Sequence, residues 1–201
     1  MLKPDTGDVL FTRGHSFFNR LTCRLTGPAA HQATFYDVGH IVEASKATRR
    51  VVKREANSVF ADLNREHAEW IIFHWITPSV MSPCLRARLQ CDMLEATEFE
   101  RYSTIELPLQ VIDTAWNRVV RRRPLQGYDA AVFRKLGDIW VNGVICSKTS
   151  NRALINSGFI LKDTGLEYGS PSDTYRYLLK RQGKDVCILD FSKGWFKPDG
   201  A

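Results

Sequence analysis

Three side chains in this sequence have the types and the order for thiol chemistry: Cys146, His31 and Glu43. A thiol is a useful nucleophile at neutral pH only as its thiolate, and the first turn of a helix favours that form through free N–H groups and partial positive charge. Val144 to Ser157 reads as a helix, which puts Cys146 in that first turn. An imidazole can take the thiol proton, and a carboxylate can orient the ring. Each residue also has an ordinary reading. Cysteine is among the most buried residue types, and a strand-end histidine can lie near an unrelated surface glutamate.

A hairpin would bring His31 to Glu43. The β-prone runs His31 to Tyr36 and His40 to Ala44 are separated by Asp37-Val38-Gly39, which suits a tight turn with Gly39 at positive φ. Pairing around that turn predicts that the outer ends of the strands oppose each other, so His31 and Glu43 meet on one face. His40, in the same hairpin, is the alternative base.

The surrounding elements follow from periodicity and punctuation. Val9 to Arg13 reads as a strand, and His15 to Leu25 as a helix carried by Phe18, Leu21 and Leu25 and ended by Gly27-Pro28. Arg50 to Arg54 reads as a strand, Asn57 to Arg65 as a short helix capped by Asn57 or Ser58, and Trp70 to Ile76 as a buried strand. Ser82 to Tyr102 has helical spacing through Leu85, Leu89, Met93 and Ala96. Leu107 to Val120 is a further helix, with Arg121-Arg122-Arg123 as the cations of its C-terminus. Gly158 closes the cysteine helix. Ser170-Pro171-Ser172-Asp173 starts a helix over Thr174 to Gln182, and Val186 to Phe191 is the last strand. The whole is expected to be one α+β domain over 1–201, a small antiparallel sheet with helices packed against one face.

Composition bounds the function. The 201 residues are 44% hydrophobic and 25% charged, enough for a core that removes roughly 70% of the unfolded surface from water. With 13 Gly, 8 Pro and no repeats, a collagen-like or wholly disordered chain is excluded. Five scattered cysteines without a Cys-x-x-Cys pair favour neither a zinc site nor a disulfide framework. The net charge of +6 suits an anionic partner, with no specific nucleic-acid site expected. No run approaches the about 18 to 20 apolar residues of a membrane span, and Met1 to Gly14 lacks the apolar region of a signal peptide. Synthesis in the cytoplasm is therefore expected, with virion association or release by lysis left open. His15 is expected to be exposed, His67 and His74 lack metal spacing, and His74 reads as a satisfied core or sheet-edge histidine. Trp70, Trp75, Trp116, Trp140 and Trp195 read as packing residues.

Gly7-Asp8-Val9-Leu10 opens the first strand, Gly27 comes shortly before His31, Val42-Glu43-Ala44 lies on the next strand, and Cys146-Ser147 starts a helix. This order resembles the circularly permuted papain-like cysteine hydrolases of the NlpC type, relatives of the lecithin retinol acyltransferase group, over roughly residues 7 to 180. Weaker echoes are Tyr102 after a long helix and Ser170-Pro171-Ser172-Asp173 after the cysteine helix. Where the family more often has a serine before the histidine and an acidic residue soon after the cysteine, this chain has Ala30 and Ser147-Lys148.

The resemblance implies a permuted papain-like arrangement with Cys146 as nucleophile, His31 as base and then acid, Glu43 as orienting group and Tyr102 beside the substrate. Asp8 would shape the turn into the first strand. The implied activity is a thiol amidase or peptidase acting on peptidoglycan-type peptides, without metal or organic cofactor. A lipid acyltransferase or thioesterase is the second enzymatic reading. A non-catalytic structural or interaction module of a virion or secretion machine is the third.

Overall fold

The computed structural model describes residues 3–77, 82–102, 146–193 and 195. The expected helix over Leu107 to Val120, the Arg121 to Arg123 cluster, Trp116 and Trp140 lie outside the described residues. Among the described residues, six strands and five α-helices follow in the order β1 Val9–Arg13, α1 Phe17–Thr26, β2 His31–Asp37, β3 His40–Ser45, β4 Arg50–Glu55, α2 Ala56–Arg65, β5 Glu69–Trp75 and α3 Pro83–Phe99, then α4 Cys146–Asn156, α5 Pro171–Lys180 and β6 Val186–Phe191. The strands form one antiparallel sheet in the order β4-β3-β2-β1-β5-β6, so the fold is α+β.

Alternation along the strands sends side chains to two faces, and both are covered. On one face Val9, Phe11, Val42, Ala44, Ile71 and Phe73 pack with Leu89 and Met93 of α3, Leu154 of α4 and Leu178 of α5. On the other, Leu10, Ala33, Phe35, Ile41 and Ile72 pack with Ala56 and Val59 of α2. The expectation that helices cover one face is therefore corrected. The alternating partners of the first core are themselves apolar, and α2 supplies their cover.

The local signals act as physical punctuation. Ser16 caps α1 by accepting from the Asn19 N–H, and Ser170 forms a reciprocal capping box with Asp173 at the start of α5. Neither Asn57 nor Ser58 caps α2. That helix starts at Ala56, whose N–H donates to the Gly39 carbonyl instead of to a capping side chain. The helix read as running to Tyr102 stops at Phe99, because Glu100 turns extended and its carbonyl accepts the Val51 N–H of β4. Arg101 then bridges Arg50, and the Tyr102 N–H donates to the Arg49 carbonyl.

Gly27 adopts φ +126° where α1 ends, and a Cβ there would lie 2.2 Å from Arg176 Nη2. Just beyond it, Ser172 Oγ of α5 accepts from the Ala29 N–H and donates to the Ala29 carbonyl. The segment that leads into His31 is thus tied to α5 before β2 begins.

Candidate active site

His31 is the first residue of β2, and Cys146 is the first residue of α4. They meet where both elements begin: the thiol and the imidazole are hydrogen-bonded and coupled by charge. His31 Nε2 in turn lies 2.8 Å from Glu43 Oε2. The structure thus joins the three sequence-predicted residues in the order thiol, imidazole, carboxylate.

The hairpin reaches this arrangement by a route the sequence reading did not foresee. The turn is the two residues Val38-Gly39, with Asp37 paired to His40, and Gly39 is not in the positive-φ region. Asp37 Oδ1 instead accepts the Gly39 N–H at 2.8 Å, which stabilises the turn without left-handed backbone. Continued regularly, that pairing would set Thr34 opposite Glu43. The register shifts between Phe35 and Asp37, however, and Thr34 pairs with Val42. Tyr36 is the extra residue of a β-bulge. Because one residue of slip exchanges the two faces of a strand, the bulge moves Glu43 onto the face that Ala33 and, by alternation, His31 share. His31 then reaches Glu43 along a diagonal and not directly across. The Tyr36 carbonyl accepts from Gln90 Nε2 at 2.8 Å and from Thr6 Oγ1 at 3.0 Å.

The cysteine helix is locked to the histidine strand by buried amides. Gln32 Nε2 donates to Asn151 Oδ1 at 2.9 Å, Thr174 Oγ1 donates to the same oxygen at 2.9 Å, and Asn151 Nδ2 donates to the Leu166 carbonyl at 2.6 Å. Gln32, Asn151 and Thr174 are fully buried. Sequence reading missed these residues, since spacing alone gives no sign that an amide on a helix faces one on a distant strand. It also missed Arg54, which donates to Glu43 Oε1 at 3.0 Å. The alternation of β4 was the available signal, but it points to Glu43 only once the β3–β4 register is known.

The charges follow from these contacts. Burial by itself pushes the Cys146 thiol up, but the His31 charge and hydrogen bond, with the backbone N–H groups of Gln32 and Ser147, hold it below the ordinary thiol value. Burial likewise disfavours the imidazolium, yet Cys146 and Glu43 together raise His31 well above the ordinary histidine value. Both shifts run in the direction that favours a thiolate beside an imidazolium. Glu43 is held ionised, down to about 2, because His31 and Arg54 outweigh its burial. The Tyr102 phenol is pushed up to about 12 by burial and by the Cys146 charge. Cys146 is 6% exposed and the His31 side chain 31%, so the imidazole is the more open of the two.

The other candidates separate from this site. His40 Nδ1 lies 2.8 Å from Asp37 Oδ1 at the turn end of the hairpin. His15 is exposed, as expected. His74 Nδ1 is 2.9 Å from Asp8 Oδ2, a buried pair next to Val9, at the far end of β1 from Thr12 and its partner His31. Asp8 also accepts from the Asp5 N–H, so it does shape the turn into β1, while its link to His74 was not anticipated. Burial is the main cause that pushes the Cys23 and Cys187 thiols up, opposite to Cys146. Among the described residues, no group of three or more His, Cys, Asp or Glu side chains could hold a metal ion.

No protein-family model and no curated protein matches the chain. Among solved structures it is similar to the crystal structure of metalloprotein yiiX from Escherichia coli O157:H7, DUF1105. The identity is 11%, the match covers 95% of this chain and 99% of that one, and the TM-score is 0.50. At that identity the likeness is one of fold.

Proposed function

We propose that the chain is a thiol hydrolase of permuted papain-like arrangement, an amidase or peptidase acting on peptidoglycan-type peptides. The observation that carries the reading is the Cys146–His31–Glu43 relay, with Glu43 2.8 Å from the ring nitrogen. The Cys146 thiolate attacks the amide carbonyl carbon, and the oxyanion of the tetrahedral adduct is stabilised by backbone N–H groups at the start of α4. His31 gives its proton to the leaving nitrogen as the C–N bond breaks, which leaves a thioester. Neutral His31 then takes a proton from water, whose oxygen attacks the thioester. Collapse releases the acid and returns the proton to the pair. Glu43 holds the ring throughout, and Tyr102 lies beside the bound substrate.

The basic surface supports an anionic substrate. Arg49, Arg50 and Arg101 are exposed on the segments that bridge next to Tyr102, and the net charge is +6. Stem peptides carry free carboxylates on a polymer that is often anionic, so attraction between exposed charges would raise the encounter rate. No helix among the described residues is long and apolar enough to cross a membrane.

The test incubates the protein and its Cys146→Ser variant with cell-wall stem peptides and with phospholipid vesicles, followed by mass spectrometry of the products. Cleavage of a stem-peptide amide by the parent alone is expected. Its rate should fall as salt rises, because exposed charges are screened over about 10 Å at 0.1 M. Fatty-acid release with uncut peptides would replace this reading with the acyl-ester one. No product from either substrate, with no enhanced labelling of Cys146, would favour the non-catalytic virion or secretion module.

A further inference from the structure

Glu43 is gripped at both oxygens. Oε2 faces His31, while Oε1 accepts from Arg54 Nη1 at 3.0 Å. The other arm of the same guanidinium, Nη2, donates to Asp62 Oδ2 on α2 and lies 3.4 Å from Ser58 Oγ. The β3–β4 register sets Glu43 opposite Val52 and Ile41 opposite Arg54, so Arg54 approaches Glu43 along a diagonal of one face. Ala56 and Val59 of α2 cover that same face. The charged groups around Glu43 are therefore His31 from β2, Arg54 from β4 and, through Arg54, Asp62 from α2.

A glutamate bonded only through Oε2 can swing about its side-chain torsions and offer either oxygen to the ring. A planar guanidinium bonded at both ends removes that freedom, because its N–H directions are rigid. We propose that Arg54, braced by Asp62, is a positioning residue that aims Glu43 Oε2 at His31 and so keeps Nδ1 of the ring for the Cys146 thiol. The tautomer follows. With Nε2–H committed to Glu43, Nδ1 is the nitrogen available to take the thiol proton. The consequence for turnover rests on the thiol-hydrolase reading, whereas the state of the thiol can be measured without any substrate.

The experiment follows alkylation of Cys146 by iodoacetamide against pH, by peptide mapping, in the parent protein and in Arg54→Ala, Arg54→Lys and Asp62→Asn. Arg54→Ala should move the pH midpoint of Cys146 labelling up by about one unit, which slows labelling about tenfold at pH values below the midpoint. Arg54→Lys should recover part of that loss, since lysine restores the charge but not the fork. Asp62→Asn should slow labelling by about threefold, as the brace weakens while Arg54 stays. The Glu43 carboxyl, followed by 13C NMR, should titrate about one unit higher in Arg54→Ala than in the parent.

A folded Arg54→Ala protein that labels Cys146 at the parental rate would overturn the proposal, because a mere staple between β4 and α2 would leave the thiol unaffected. If Arg54→Ala does not fold, Asp62→Asn decides, and a parental rate there overturns it equally. A parent that labels rapidly at Cys146, with variants as expected, but cleaves neither peptide nor ester would remove the hydrolase reading and uphold the role of Arg54.

Discussion

Gln32 and Asn151 lie 119 residues apart in the chain, and their side-chain amides are bonded at 2.9 Å in the fully buried space between β2 and α4. One follows His31 directly, and the other lies on the helix that Cys146 begins. The bond thus sets the relative position of the two elements that carry thiol and imidazole.

Asn151→Ala should therefore be costly in both fold and chemistry. It leaves Gln32 Nε2, Thr174 Oγ1 and the Leu166 carbonyl without their buried partner. The expected loss is about 2 to 4 kcal/mol of unfolding free energy by chemical denaturation. Labelling of Cys146 should slow in the fraction that stays folded. A variant with parental stability would show that the polar link is not what holds α4 on β2.

The pH dependence has a definite sign on each side. Cys146 is held below the ordinary thiol value and His31 above the ordinary histidine value, so each favours the charged form of the other. As pH falls through the Cys146 value, the thiolate is protonated and alkylation slows. As pH rises through the His31 value, the imidazolium is lost, so the proposed hydrolysis should decline while alkylation, which needs only the thiolate, should not. Cys23 and Cys187, whose thiols are pushed up, should label more slowly than Cys146 at pH 6. Equal labelling of all three at that pH would contradict the ion pair.

Loss of His31 should be nearly as damaging as loss of Cys146, because base and nucleophile act as a unit. On the proposed substrate, His31→Ala should cost about 10² to 10⁴ in rate. Glu43→Gln should retain measurable turnover, since an amide oxygen can still accept from the ring, and His40→Ala should match the parent. Steady-state rates of the three variants check this. An inactive His40→Ala beside an active His31→Ala would reverse the assignment of the base.

The bulge at Tyr36 can be challenged without touching the site. In Thr6→Val combined with Gln90→Leu, the Tyr36 carbonyl loses both of its side-chain donors. A loss of about 1 to 3 kcal/mol is expected, with slower Cys146 labelling wherever the ladder slips toward the regular register that turns Glu43 away. Urea denaturation and peptide mapping measure the two effects separately, and a double variant unchanged in both would remove the bulge from the account.

The sequence by itself determined the elements and the chemistry they could carry. Apolar periodicity, Gly27, Ser82, Gly158 and the Ser170 to Asp173 cap are local signals, and the described elements began and ended within a few residues of where they pointed. Cys146 in the first turn of a helix and His31 at a strand start were legible for the same reason, since helix electrostatics and strand alternation act over a few residues. Tertiary structure alone decided how those residues meet. The turn sequence predicted a hairpin but not its bulge, because the extra residue is stabilised by Thr6 and Gln90, far away in the chain. Helices on both faces, the Gln32–Asn151 lock and the grip of Arg54 on Glu43 likewise depend on packing and register between segments that no local pattern connects. The carboxylate ended up on the histidine's face because a one-residue register shift reverses every side chain on a strand.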